Sequence, residues 1–217
     1  MKITALVENK SSCDLTPVHG LSLYIETERH KLLFDLGPDH TLLKNAEKRG
    51  IDLSQVDTVV ISHGHFDHGG ALAAFLKINH TARIFIQRRA FEKHFTKSLG
   101  IVKVPIGLDR KLMDHPQMVL VDGEFCIDEE LLLFTVADTS RFHSTANDTL
   151  YDEAGKDGFA HEQELMIFGE RNVLVMGCGH CGVVNILEQA KQYGPKVCIG
   201  GYHLMVPVTK RSVPEDI

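Results

Sequence analysis

One stretch constrains this chain more than any other: Ile61-Ser62-His63-Gly64-His65-Phe66-Asp67-His68-Gly69-Gly70. It follows Thr58-Val59-Val60-Ile61, a run apolar enough for a strand covered on both faces. Residues two apart in extended chain point to the same side, so His63 and His65 can grip one metal ion together. Asp67 and His68 come where the chain turns, and can face a second ion beside the first. Imidazole and carboxylate suit zinc first, then iron or manganese. An isolated histidine is more often a surface or hydrogen-bonded residue than a ligand. With 13 histidines in 217 residues, however, H-x-H-x-D-H arises by chance in roughly a few per thousand such sequences.

The remaining chain bounds the setting of such a site. Its length suits a single domain over residues 1–217, or one sandwich of two similar halves. Hydrophobic residues at 43% and charged residues at 24% fit a folded globular protein. A net charge of -6 argues against a nucleic-acid binder that neutralises phosphates nonspecifically. No segment approaches the roughly 20 apolar residues of a membrane span, and residues 1–9 lack the apolar stretch of a secretory signal. Five cysteines, at 13, 126, 178, 181 and 198, form no regular framework, so reduced thiols and a cytoplasmic location are expected. The expected partner is a small-molecule substrate, with neither nucleic acid nor membrane.

Periodicity predicts strands at Ile3–Val7, Leu21–Thr27 and Lys31–Asp35, an antiparallel start. Asp39 can cap a helix that carries Leu42, Leu43 and Ala46 on one face and stops at Gly50. A strand at Asp57–Ser62, a helix at Gly69–Ile78 and a strand at Arg83–Gln87 follow. Phe91, His94 and Phe95 suggest a short helix, and Lys103–Pro116 a loop. Strands resume at Met118–Val121 and Leu131–Val136, and Asp138–His161 reads as a polar surface or lid loop. A hairpin of Leu165–Phe168 and Asn172–Met176, a helix near Val183–Tyr193 and a last strand at Val197–Ile199 complete the pattern.

H-x-H-x-D-H after a hydrophobic strand resembles the signature of the metallo-beta-lactamase superfamily, and the resemblance covers nearly the whole chain. It implies an α+β fold, a four-layer αββα sandwich with metals at one sheet edge. Leu33-Phe34-Asp35-Leu36-Gly37 looks like the superfamily's early strand ending in an aspartate that supports the metal loop from beneath. Two metals need more ligands than one loop provides. Cys178, at the end of Asn172–Met176, and His203, in Gly200-Gly201-Tyr202-His203, match the superfamily's ligand positions for the second metal. The usual third histidine, often in Gly-His-Thr before the hairpin, is absent. His161 precedes the hairpin as that ligand does, whereas His180 sits two residues beyond Cys178; His180 is favoured. Gly-Cys-Gly-His, with Gly-Gly-Tyr-His later, resembles a narrower branch labelled dihydropterin ribofuranosylaminobenzene phosphate synthase. His19 and the Glu8-Asn9 pair also fit that branch, and imply a pocket lining. Cys178 and Cys181 form C-x-x-C, but with no second such pair Cys181 is expected to pack as a small apolar residue.

The implied activity is a metal-dependent hydrolase with two divalent ions, attacking a small phosphoester or related ester with metal-bound hydroxide oriented by Asp67. G-x-S-x-G and the P-loop pattern are both absent. Two other classes remain: a transferase joining a pterin diphosphate to an aryl ribosyl phosphate, and a ligand sensor that has kept the fold without catalysis. Oxygen reduction at di-iron normally needs a flavin domain, which this chain does not show.

Overall fold

A computed structural model describes residues 1–98, 102–142, 144–206 and 211–212. The first strands are β1 (Lys2–Val7), β2 (Ser22–Glu26), β3 (Lys31–Phe34), β4 (Thr58–Ile61) and β5 (Arg83–Gln87). Next come β6 (Phe95–Ser98), β7 (Val102–Pro105), β8 (Met118–Val121), β9 (Phe125–Cys126) and β10 (Leu131–Phe134). The chain continues with β11 (Leu150–Tyr151), β12 (Glu164–Ile167), β13 (Val173–Val175) and β14 (Val197–Ile199), and ends in the short pair β15 (Met205–Val206) and β16 (Arg211–Ser212). Its α-helices are α1 (Thr41–Lys48), α2 (Phe66–Gly69), α3 (Leu72–Phe75) and α4 (Val183–Ala190). These elements form two compact units, Met1–Phe91 with Leu108–Val121 and Glu92–Gly107 with Asp122–Ile217.

In the first unit the six strands run in the order β1-β2-β3-β4-β5-β8. β1, β2 and β3 pair antiparallel, and β3, β4, β5 and β8 are parallel. All four residues of β4 are buried, as an apolar run without alternation requires. Leu33, Val59, Ile61, Ile84 and Ile86 pack with Leu42 and Ala46 of α1 and with Leu72 and Phe75 of α3. α1 opens with Asp39 accepting from the Thr41 N–H at 2.8 Å and closes at Gly50, whose φ of +65° suits glycine. Its buried Asn45 donates to the carbonyls of Leu6 and Thr16 and accepts from the Thr16 N–H, which ties the loop after β1 to the helix.

The expected helix at Gly69–Ile78 is instead two short helices, and the first starts inside the histidine stretch. Gly70 explains the break. A Cβ there would lie 2.2 Å from the Pro38 carbonyl oxygen, so the chain must bend past that backbone. Ala71 then donates to the Gly37 carbonyl rather than continuing the first helix.

In the second unit the order is β14-β13-β12-β10-β9. β13 and β14 are parallel and the other pairs antiparallel. Ile186 and Ala190 of α4 pack with Leu132, Phe134, Met166, Leu174 and Met176. Residues 88–105 depart from the reading as a short helix followed by loop: a 3-10 turn (Arg88–Phe91) leads into a hairpin of β6 and β7. Every residue of β7 is exposed, and its alternation spans only Val102-Lys103-Val104 before Pro105, too short to mark a strand. β11 joins this hairpin as a third strand.

Candidate metal centre

The histidine loop begins where β4 ends, and α2 supplies Asp67 and His68. His65 is extended, at φ -93° and ψ 144°. The rings of His63 and His65 lie 4.6 Å apart and those of His63 and His68 4.2 Å apart. All four of His63, His65, Asp67 and His68 are buried. The expected side-by-side pairing of His63 and His65 is therefore present in the fold.

Asp35 lies beneath this loop, fully buried, with a left-handed φ of +60°. Its Oδ1 accepts from the Ser62 N–H at 2.7 Å. Its Oδ2 accepts from the Ser62 hydroxyl at 2.8 Å and from His68 Nδ1 at 2.6 Å. A carboxylate only accepts, so His68 Nδ1 carries its proton and the ring's lone pair sits on Nε2. The Ser62 hydroxyl spends its one proton on Asp35, so at 2.8 Å it accepts from His63 Nδ1, which places that ring's lone pair on Nε2 as well. One carboxylate thus sets two tautomers, the arrangement metal-ligating histidines need.

His68 Nε2 lies 3.5 Å from Asp67 Oδ2. A tetrahedral ion with bonds of about 2.1 Å separates its ligand atoms by about 3.4 Å, so this pair fits shared coordination. His19, an exposed residue, accompanies them: its Nδ1 is 2.7 Å from Asn9 Oδ1 and its Nε2 is 3.4 Å from Asp67 Oδ2. Gly20 delivers it there, because a Cβ on that residue would stand 2.2 Å from the Asp67 carbonyl oxygen.

The second unit gathers Cys178, His180 and His203 at the ends of the parallel strands β13 and β14. Gly201 donates to the Gly177 carbonyl at 2.7 Å, and Gly200 comes so close that a Cβ would meet the Met176 oxygen at 2.1 Å. The two glycine-rich loops therefore run side by side, with the rings of His180 and His203 4.2 Å apart. Glu162, buried, holds the first of them: its two oxygens accept from the His180 and Cys181 N–H groups at 2.9 and 2.6 Å. Cys181 packs in the core ahead of α4, and burial first, with Glu162 and Glu164 nearby, pushes its thiol well above the usual range. It behaves as a small apolar side chain.

His161 departs from the polar lid reading. It is buried, with its Nε2 3.1 Å from Asp157 Oδ2, and His94 Nδ1 reaches the same oxygen at 3.0 Å. The His94 and His161 rings are 3.9 Å apart. Burial works against the Asp157 charge, yet the N–H donors of His161 and His94 hold that carboxylate well below its ordinary range. Burial lowers the His161 pKa, with Asp157 pulling the other way.

The metallo-beta-lactamase superfamily profile matches residues 15–184. The chain belongs to the metallo-beta-lactamase superfamily. Its fold class is the α+β sandwich of that superfamily, as expected. A solved structure of a metal-dependent hydrolase of the beta-lactamase superfamily matches at a TM-score of 0.78 and 27% identity, over 94% of this chain and 77% of that one. A 7,8-dihydropterin-6-methyl-4-(beta-D-ribofuranosyl)-aminobenzene-5'-phosphate synthase of Methanocaldococcus jannaschii is 28% identical over 90% of this chain and 74% of its own length. An uncharacterized protein of the same organism is 23% identical over 94% of this chain and 79% of its own. The resemblance to the narrower branch is thereby borne out alongside that to the superfamily.

Sequence reasoning missed Ser62, His94, Asn147, Asp157 and Glu162. Ser62 adjoins the motif and Glu162 adjoins His161, but only the fold shows which backbone and ring atoms they hold. Among the described residues no helix is long and apolar enough to cross a membrane.

Proposed function

We propose that this superfamily member is a metal-dependent hydrolase that cleaves a small phosphoester or related ester at a site for two divalent ions, zinc first. His63, His65, Asp67 and His68 would hold them together with Cys178, His180 and His203. The observation that carries this is the pair of tautomers set by Asp35, which leaves the lone pairs of His63 and His68 on Nε2, that of His68 3.5 Å from the Asp67 carboxylate. Such ions, when bound, bring the pKa of water toward about 7 and stabilise negative charge. Asp67 Oδ2 accepts a hydrogen bond from the attacking water and aims it at the substrate, with His19 beside it on the exposed side. The likeness to a metal-dependent hydrolase supports the same reading. A reducing, cytoplasmic setting goes with it, supported by five cysteines none of which forms a disulfide among the described residues.

Similarity to the named synthase favours a second reading, in which the same site activates a diphosphate leaving group on a pterin. Cleavage of an activated phosphodiester such as bis(p-nitrophenyl) phosphate, with and without added metal, tests the first. Metal-dependent release is expected, with Asp67→Asn at least about a hundredfold slower. No cleavage, with pterin condensation observed instead, would move the synthase into first place.

A further inference from the structure

His180 is held on more sides than a loop histidine requires. Its backbone N–H donates to Glu162 and its ring stacks on Phe159 at 4.5 Å and 5°. The decisive contacts come from Asn147, in the 3-10 turn Thr145–Thr149 that the Ser144 hydroxyl caps. Asn147 Nδ2 donates to the His180 carbonyl at 2.8 Å, and Asn147 Oδ1 lies 2.9 Å from His180 Nδ1. Which end of an amide is oxygen is usually ambiguous. Here the backbone carbonyl settles it, because a carbonyl only accepts and must face the NH2 end. The end facing the ring is then the oxygen, which cannot donate. His180 Nδ1 must carry the proton, and its lone pair lies on Nε2.

We propose that Asn147 is the positioning residue that commits His180 to metal coordination through Nε2. The inference rests on the metal-centre reading and adds a residue to it from the long polar stretch before β12. An aspartate at 147 would still accept from the ring but would set an oxygen against the His180 carbonyl, so the two contacts can be separated. An alanine would lose both.

Two measurements test this, and they can fail independently. Long-range proton–nitrogen NMR on the metal-free protein at about pH 8, where imidazoles are neutral, reads the His180 tautomer without any metal. The wild type and Asn147→Asp should show Nδ1–H, and Asn147→Ala a mixture with Nε2–H. Chelator competition then reads affinity for zinc. Asn147→Ala should weaken it about 10- to 100-fold, in line with loss of a histidine's orienting partner, His180→Ala should weaken it at least as much, and Asn147→Asp should retain most of it. Should Asn147→Ala fail to fold, the wild-type tautomer and the Asn147→Asp affinity carry the test. An Nε2–H tautomer in the wild type overturns the proposal. So does unchanged affinity in both Asn147→Ala and His180→Ala, which would leave a metal centre without His180. A wild type that binds no zinc overturns the metal-centre reading itself.

Discussion

The histidine loop of the first unit and the Cys178–His180 loop of the second end in the same kind of side chain but are held in different ways. The first is set by a buried carboxylate, Asp35, which reaches a backbone N–H, a hydroxyl and an imidazole at once. The second is set by backbone: close-packed glycines at 200 and 201, and Glu162 gripping two consecutive N–H groups. In the first, support and ligand tautomer are one network. In the second they are divided, Glu162 placing the chain and Asn147 the ring. The first loop should therefore be lost as a whole when one residue changes, and the second should degrade in parts.

The largest effect is expected from Asp35→Asn. Asparagine tolerates the left-handed backbone at this position, so the change isolates the hydrogen bonds. One of the three donors around it then faces an NH2 group. Urea denaturation of the metal-free protein should show a loss of about 2–3 kcal/mol, and zinc affinity should fall about 10- to 100-fold. Glu162→Gln should cost less, about 1–2 kcal/mol, because one acceptor remains and only a backbone N–H is left badly paired. Equal losses in the two variants would erase the distinction between the loops.

The smallest effect concerns pH in the metal-free protein. The His161 pKa lies below its ordinary value of about 6.5 when folded. A group depressed in this way contributes stability that is complete above about 6.5 and is lost as pH falls through the folded value. Wild-type stability should therefore decline below about pH 6.5, and His161→Gln should flatten that limb. It should also shrink the steeper loss below about pH 4, where Asp157 protonates in the unfolded chain but not yet in the folded one, because His161 is one of the donors that hold that carboxylate down. Thermal unfolding across about pH 2–8 reads both.

The first loop was largely legible because its ligands, strand and helix are contiguous, and a short-range pattern of charge and hydrophobicity encodes all of them. Asp35 could be placed from its own strand end and the resemblance. The apolar runs of β1, β4, β5, β8 and β14 were equally local. What stayed hidden depends on groups far apart in sequence. His161 read as solvated because Glu162 and Glu164 flank it, yet all three are buried, and Asp157 and His94 become its neighbours only through the fold. β6 and β7 escaped because each is only four residues long, with β7 exposed and β6 half-buried over Phe95–Lys97, and the break between α2 and α3 follows from a contact with Pro38 that helical periodicity cannot register.

Metal content tests the proposed two-ion centre most directly. Elemental analysis of protein purified without chelator and then supplemented with zinc should find two ions per chain, because the proposed ligands exceed what one ion can use. Less than half an equivalent under the same conditions would contradict it.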